Sequence, residues 1–257
     1  MWRPLREWSS LLPGPDGARL LVMLLVIVGC CLGFVVLADE VLEKDTQTYD
    51  EAIVRALRKA DAPEVPVGPR WLRGAARDVT ALGSGTVLTM VTLAVCGFLA
   101  LVRHFRSLLL VAGSTVGGAV LNSVLKELFA RPRPSVVPHL AEVFAPSFPS
   151  GHAMLSAIVY LTLGALLSQL TLRRRLKVYV LTVGMLLSFL VGLTRVFLGV
   201  HYLTDVLGGW MAGLAWALLC TLLVRAVKRR SPALREEVLK GADTSEQMPD
   251  VSGREPG

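Results

Sequence analysis

Long apolar runs dominate the order of apolar and polar positions along this chain. A spanning helix needs about 20 mostly apolar residues. Six runs approach or reach that length: 20–38, 86–102, 107–125, 153–170, 178–198 and 202–224. The second is short. The third is rich in glycine (Gly113, Gly117, Gly118), which suits close helix packing in lipid. The apolar stretch between Lys177 and Arg225 is too long for one helix. Gly199, flanked by Arg195 and His201, marks the break. The first run is longer than the apolar core of about 7–15 residues in a cleaved leader, and no small-x-small site follows before Asp39. It reads as an uncleaved anchor. The pattern predicts an all-α fold, a six-transmembrane-helix bundle over residues 20–225, between a cytoplasmic N-terminus (1–19) and a polar cytoplasmic tail (226–257).

Composition supports a membrane protein. Of the 257 residues 53% are hydrophobic and only 18% charged, whereas soluble domains carry about 25% charge. Mean hydropathy is +0.56. Disorder, a collagen repeat and a disulfide-stapled secreted fold are excluded by the same figures. Cys30, Cys31, Cys96 and Cys220 all fall in apolar runs without metal-ligand spacing. They read as buried free thiols acting as small hydrophobes.

Lysine and arginine concentrate on the cytoplasmic side of membrane proteins. The N-terminus, the loops at 103–106 and 171–177 and the tail from Arg225 together carry a net charge of +8, against −1 for the opposite side. Both termini are therefore expected inside, with 39–85, 126–152 and 195–205 facing out. The positive charge of the chain orients it, and nucleic acid is not needed to explain it. In the outer segment 39–85, Tyr49, Ile53, Val54 and Leu57 recur at helical spacing opposite Asp50, Glu51, Arg55, Arg58 and Lys59. An amphipathic helix on the membrane surface is predicted, broken by Pro63, Pro66, Gly68 and Pro69. The tail after Ser231 is expected to be disordered beyond a short helix.

Ionisable residues at membrane depth are costly and are functional candidates by default. Here they gather at the outer helix ends. Lys126 closes the third helix before Arg131-Pro132-Arg133-Pro134. Pro149-Ser150-Gly151-His152 opens the fourth, and Thr194-Arg195-x5-His201-x3-Asp205 joins the fifth to the sixth. Lys126, Arg133 and Arg195 would repel one another unless an anion neutralised them. Arginine forks and a lysine point charge suit the oxygens of a phosphate. Ser150 and Gly151, at a helix start, offer a hydroxyl and free N–H groups. His201 and Asp205 share a helix face, so the carboxylate can hold one ring nitrogen and aim the other outward. His152 supplies a second imidazole. One histidine to attack and one to protonate the leaving group suffice for phosphoryl transfer without a metal.

Lys126-x6-Arg133-Pro134, Pro149-Ser150-Gly151-His152 and Thr194-Arg195-x5-His201-x3-Asp205 closely resemble, in order and spacing, the three-part signature of the type 2 phosphatidic acid phosphatase (PAP2) superfamily. Asp78-x-Thr80-x-Leu82-Gly83-Ser84 is similar to bacterial members. The resemblance implies that His201 is the nucleophile and forms a phosphohistidine, that Asp205 orients it, and that His152 donates a proton to the leaving group. Lys126, Arg133, Ser150, Gly151 and Arg195 would hold the phosphoryl oxygens, with Thr194, Pro134 and Pro149 as secondary members. Thr194 stands where the family has serine, and its retained hydroxyl predicts a minor effect on phosphate contacts. No metal or other cofactor is implied.

The function expected is a lipid phosphatase of a bacterial inner membrane, with its active site on the extracytoplasmic side. Its partners would be the bilayer and a lipid phosphate: undecaprenyl diphosphate, phosphatidylglycerol phosphate, phosphatidic acid or a lipid A phosphate. No nucleic acid and no obligatory protein partner is indicated. The alternatives are a lipid phosphotransferase using the same intermediate, and a non-catalytic lipid-binding or transport protein. A permeation path would need its charges at mid-membrane. Outside the motifs, Arg131 reads as a headgroup contact or solvated charge, His104 as interfacial, His139 as an outward residue near the site, and Trp71 and Trp210 as interface anchors.

Overall fold

The computed structural model describes residues 15–141 and 145–230; the expected N-terminal segment before Pro15 and the tail beyond Arg230 lie outside these. In order come α1 (Pro15–Glu43), α2 (Gln47–Ala56), β1 (Arg58–Lys59), β2 (Ala62–Pro66), α3 (Arg70–Ala81), α4 (Gly85–Leu101), α5 (Phe105–Phe129), α6 (Gly151–Gln169), α7 (Arg174–Phe197) and α8 (Leu203–Arg230). The chain divides into two units, one ending at Cys220 and one beginning at Thr221. Every site residue described below belongs to the first.

Five helices, α1 and α5–α8, are long and apolar enough to cross a membrane. The sixth crossing needs two elements. With 17 residues, α4 falls short of the roughly 20 that a span requires, but α3 and α4 together pass, bent by 45° at the break between them. Ser84 makes the restart, its hydroxyl accepting the Val87 N–H at 3.2 Å, as an N-cap should. The short second run in the sequence is thus the second half of a bent pair of helices that reaches spanning length only when taken together. Apolar side chains such as Leu25, Leu32, Val35 and Val36 of α1 remain exposed, as lipid-facing residues do.

Glycines let α8 approach its neighbour. Gly209 and Gly213 lie one turn apart on α8. A Cβ on Gly213 would sit 2.6 Å from the carbonyl oxygen of Met154, and one on Gly209 2.7 Å from that of Ser150. Such small-x3-small contact is a common way for helices to meet in lipid. It brings the start of α8 against the start of α6, where two of the three motifs reside. Gly117 and Gly118 likewise receive Trp216 and Ile158, whereas Gly113 faces open space.

Several expectations are corrected. Residues 58–66 form a short antiparallel hairpin with Arg58 opposite Pro66, an addition to the all-α plan. The face predicted to be polar is partly inward, because Asp50 of α2 and Arg58 of β1 are buried along with Val54, while Tyr49 is exposed. Polar residues can be buried where they meet partners: Arg58 Nη1 donates to the carbonyl of Phe197 at 2.9 Å, while its Nε and Nη2 are buried without one. Trp210 stacks on Phe189 and donates to the Ser188 carbonyl, so it packs between helices rather than anchoring an interface. The four cysteines are free, but none is fully buried and Cys31 is exposed.

Candidate active site

The site is assembled from helix ends. α5 closes at Ala130, a left-handed residue (φ 43°) whose N–H donates to the Lys126 carbonyl at 2.9 Å. That turn sends Arg131 and Arg133 back across the bundle. The returning segment 145–150 is pinned by Ser147 N–H to the Arg131 carbonyl (2.8 Å) and by Ser150 N–H to the Asp205 carbonyl (2.9 Å). Lys126 Nζ donates to the carbonyl of Pro146. A cis bond joins Phe148 to Pro149, and Phe148 packs with Phe34 and Phe129 beneath the turn.

His201 lies in the turn between α7 and α8 and is 2% exposed. Its Nδ1 is 3.3 Å from Asp205 Oδ2, and its Nε2 is 3.1 Å from Arg133 Nη1. A guanidinium can only donate, so Nε2 is the acceptor and Nδ1 carries the proton toward Asp205; the tautomer is assigned from this network. Burial pushes the imidazole pKa down to about 4, with Asp205 opposing and Arg133 and Arg195 adding to the effect. The ring is neutral near pH 7 and its Nε2 lone pair points at an arginine. An anion taking over that arginine would meet a nucleophile already aligned.

Lys126, Arg133 and Arg195 are near enough to feel one another's charge. Arg133 is held by the carbonyls of Ala145 (2.8 Å) and Val200 (2.7 Å), and burial lowers its pKa, partly offset by Asp205. Arg195 donates to Thr80 Oγ1 at 3.1 Å. Arg195 Nε and Ser150 Oγ are buried with no partner. Buried polar groups normally find partners, and these two orphans leave donors free beside the converging cations, where an anion could be received. Gly151 packs closely here, because a Cβ on it would lie 3.2 Å from the side-chain amide of Asn122, which would have to yield. His152 sits in the first turn of α6, electrostatically coupled to Arg195 and His201. The predicted residues are therefore brought together, with three qualifications. Thr194 turns its hydroxyl to the Val191 carbonyl of its own helix (2.6 Å). Pro134 serves through its carbonyl, which accepts from His139 Nε2 at 2.6 Å. Pro149 belongs to the turn rather than the cradle.

Arg131, read from sequence as a headgroup contact or solvated charge, is neither. It is buried and bonds Asp205 Oδ1 at 2.6 Å and Asp50 Oδ2 at 2.9 Å. Its guanidinium lies 4.5 Å over the Tyr202 ring. Despite burial, the attraction of Asp205 and Asp50 raises its pKa above the ordinary value. Asn122, Ser147, Thr80 and Asp50 were also missed. Ser147 could have been suspected from its place three residues before Ser150, and Thr80 from the Asp78–Ser84 likeness. Asp50 gave no local signal. Among the described residues no three His, Cys, Asp or Glu side chains gather as a metal-binding group.

Residues 107–229 match the PAP2 superfamily. With a relative 35% identical over most of its length, the chain belongs to that superfamily; it is a multi-pass membrane lipid phosphatase. That relative is phosphatidylglycerophosphatase B of Bacillus subtilis (strain 168), aligned over 191 residues, 73% of this chain and 89% of the relative. The crystal structure of the transmembrane PAP2-type phosphatidylglycerolphosphate phosphatase from Bacillus subtilis superposes with a TM-score of 0.72 at 31% identity, covering 80% of this chain and 98% of that one. Aquifex aeolicus LpxE shares the fold at a TM-score of 0.51 and 24% identity, over 66% of this chain and 93% of that one.

Proposed function

We propose that this enzyme dephosphorylates a phosphatidylglycerophosphate-type monoester, without a metal, through a phosphohistidine on His201. The observation that carries the reading is the neutral, buried imidazole with Nδ1 on Asp205 and Nε2 facing Arg133. The 35% identical relative, a phosphatidylglycerophosphatase, supports the substrate. Lys126, Arg133, Ser150, Gly151 and Arg195 hold the phosphoryl oxygens. The Nε2 lone pair attacks phosphorus as the bond to the glycerol oxygen breaks, and His152, protonated in the complex by the bound phosphate, gives that oxygen its proton. Asp205 stabilises the positive charge that develops on the ring, as the third member of a triad does. Water then attacks the phosphohistidine, His152 takes the water proton, and inorganic phosphate leaves with the Nε2 lone pair restored.

The lipid tail is accommodated in an apolar groove of about 270 Å³ between α1, α5 and α8, lined by Cys30, Phe34, Leu125 and Ala212. Phe34 packs on Phe148, two residues before Ser150, so the groove ends beneath the cradle. We place the catalytic unit at 20–225, both termini in the cytoplasm and the site on the extracytoplasmic face of a bacterial inner membrane, on the strength of the basic loops at 103–106 and 171–177.

The test is phosphate release by detergent-purified protein in EDTA from phosphatidylglycerophosphate, phosphatidic acid, undecaprenyl diphosphate and a lipid A phosphate, for wild type and His201→Ala. Turnover of phosphatidylglycerophosphate that the variant loses is expected. Release that requires added metal, or persists in the variant, overturns the mechanism. Preference for another lipid overturns the substrate.

A further inference from the structure

Both oxygens of the Asp205 carboxylate are committed, and the groups that commit them come from three distant parts of the chain. Oδ2 receives the backbone N–H of Tyr202 at 2.8 Å and the Ser147 hydroxyl, and stands 3.3 Å from His201 Nδ1. Oδ1 receives Arg131 Nη1 at 2.6 Å. The same nitrogen reaches Thr204 Oγ1 at 2.8 Å, while Nη2 reaches Asp50 Oδ2 at 2.9 Å. Asp50 in turn accepts the Thr204 N–H at 3.2 Å and the Thr204 hydroxyl. α2 thus holds the first turn of α8 from outside the three motifs. Asp50, Arg131 and Asp205 are 1%, 7% and 0% exposed.

We propose that Arg131, braced by Asp50, is a positioning residue for the catalytic machinery: it fixes the plane of the Asp205 carboxylate and so the direction in which His201 presents Nε2. The charges and geometry support this over a merely structural ion pair. A lone buried Asp205 beside His201 could swing its carboxylate about its side-chain torsions. With Oδ1 tied to a guanidinium that is itself held by Asp50 and lies over the Tyr202 ring, that swing costs charge-assisted hydrogen bonds. The remaining oxygen is left at the imidazole. Two carboxylates around one buried cation also explain why α2, in the outer segment, packs Val54 into the same apolar cluster as Ala153, Tyr202 and Val206. The outer segment completes the site instead of covering the membrane surface beside it.

The inference rests on His201 being the nucleophile, and its test keeps the two apart. Arg131→Lys, Arg131→Gln and Asp50→Asn are made in wild type and in Asp205→Asn, and kcat and KM are measured for each on the lipid that wild type turns over, with single-turnover release of radiolabelled phosphate for the slow variants. Outer partners that orient metal-ligating histidines typically matter by roughly 10–100-fold in activity, and the same order is taken for this imidazole. Arg131→Gln should therefore lower kcat by about that factor with KM nearly unchanged, Arg131→Lys should recover part of it, and Asp50→Asn should cost less. In the Asp205→Asn background these losses should vanish, because the route to the chemistry has been removed. Equal losses in both backgrounds would overturn the proposal.

Asp50→Asn is isosteric and decides the matter if Arg131→Gln does not fold. A second readout needs no turnover. In protein labelled with 15N-histidine in detergent micelles, the Nδ1 proton of His201, held at low field by Asp205, should shift or broaden in Arg131→Lys and Asp50→Asn. An unchanged signal sinks the inference even if the lipid panel is silent. A wild type silent toward lipids with a shifted His201 signal refutes the substrate reading alone.

Discussion

Acidifying the protein should cost it stability through one residue, and the amount follows from where that residue sits. In the unfolded chain His201 titrates near the usual 6.5; in the folded site burial holds it near 4. The gap corresponds to about 3 kcal/mol between its charged and neutral forms. Between those two values the unfolded chain binds a proton that the folded site refuses, so falling pH draws molecules toward the unfolded state. The contribution is complete above pH 6.5, shrinks as pH falls, and is gone below pH 4. His201→Gln keeps the size and polarity of the side chain but cannot titrate. Reversible denaturant unfolding in detergent micelles, followed by tryptophan fluorescence at a series of pH values, gives the stability of both proteins. The advantage of wild type over the variant should fall by about 3 kcal/mol from pH 7 to below pH 4. Because the other titrating groups are common to both, they largely cancel. A difference that stays flat across that range, or that is spent before pH 6, would refute the argument that burial keeps this imidazole neutral.

Three further outcomes are expected. Gly213→Leu forces a side chain into the place where a Cβ would already be 2.6 Å from the Met154 carbonyl; it should destabilise by about 1–3 kcal/mol and lower activity, measured as thermal midpoint and kcat, whereas an unchanged midpoint would show that α6 and α8 need not touch there. Thr80→Val removes the bond to Arg195 Nη1, worth about 1.5–3 kcal/mol for a charged donor. KM should rise several-fold in steady-state assays while the folded yield holds, and an unaltered KM would show that Arg195 is placed without Thr80. Ala212→Trp fills the groove beside Phe34 and should raise KM for a long-chain lipid phosphate but leave a short-chain, water-soluble analogue unaffected. Equal effects on both would place the tail elsewhere.

The motifs could be read from the sequence because each lies within one short window at a helix end, where spacing and chemistry are written together. The split at Gly199 was legible for the same reason: it has a positive φ of 73°, and a Cβ there would lie 2.4 Å from Arg58 Nη2. The bend between α3 and α4 was not, since hydropathy weighs length and composition but carries no sign of a helix restarting at Ser84. Asp50 escaped because periodicity assigns it a face without saying which polar residue on that face will be buried. Its partners Arg131 and Thr204 lie 81 and 154 positions away. Arg131 escaped because it sits among other basic residues at an interface where a solvated charge is the ordinary outcome.

The Asp50–Arg131–Asp205 chain also sets an order of events during synthesis. Asp50 and Arg131 leave the ribosome long before α8, and until the last span is threaded into the bilayer one arm of Arg131 has no carboxylate and the His201 side chain has no support. A growing chain that stops short of α8 therefore carries Arg133 and Arg195 without Asp205, and on the proposed mechanism it is silent until its final crossing is made.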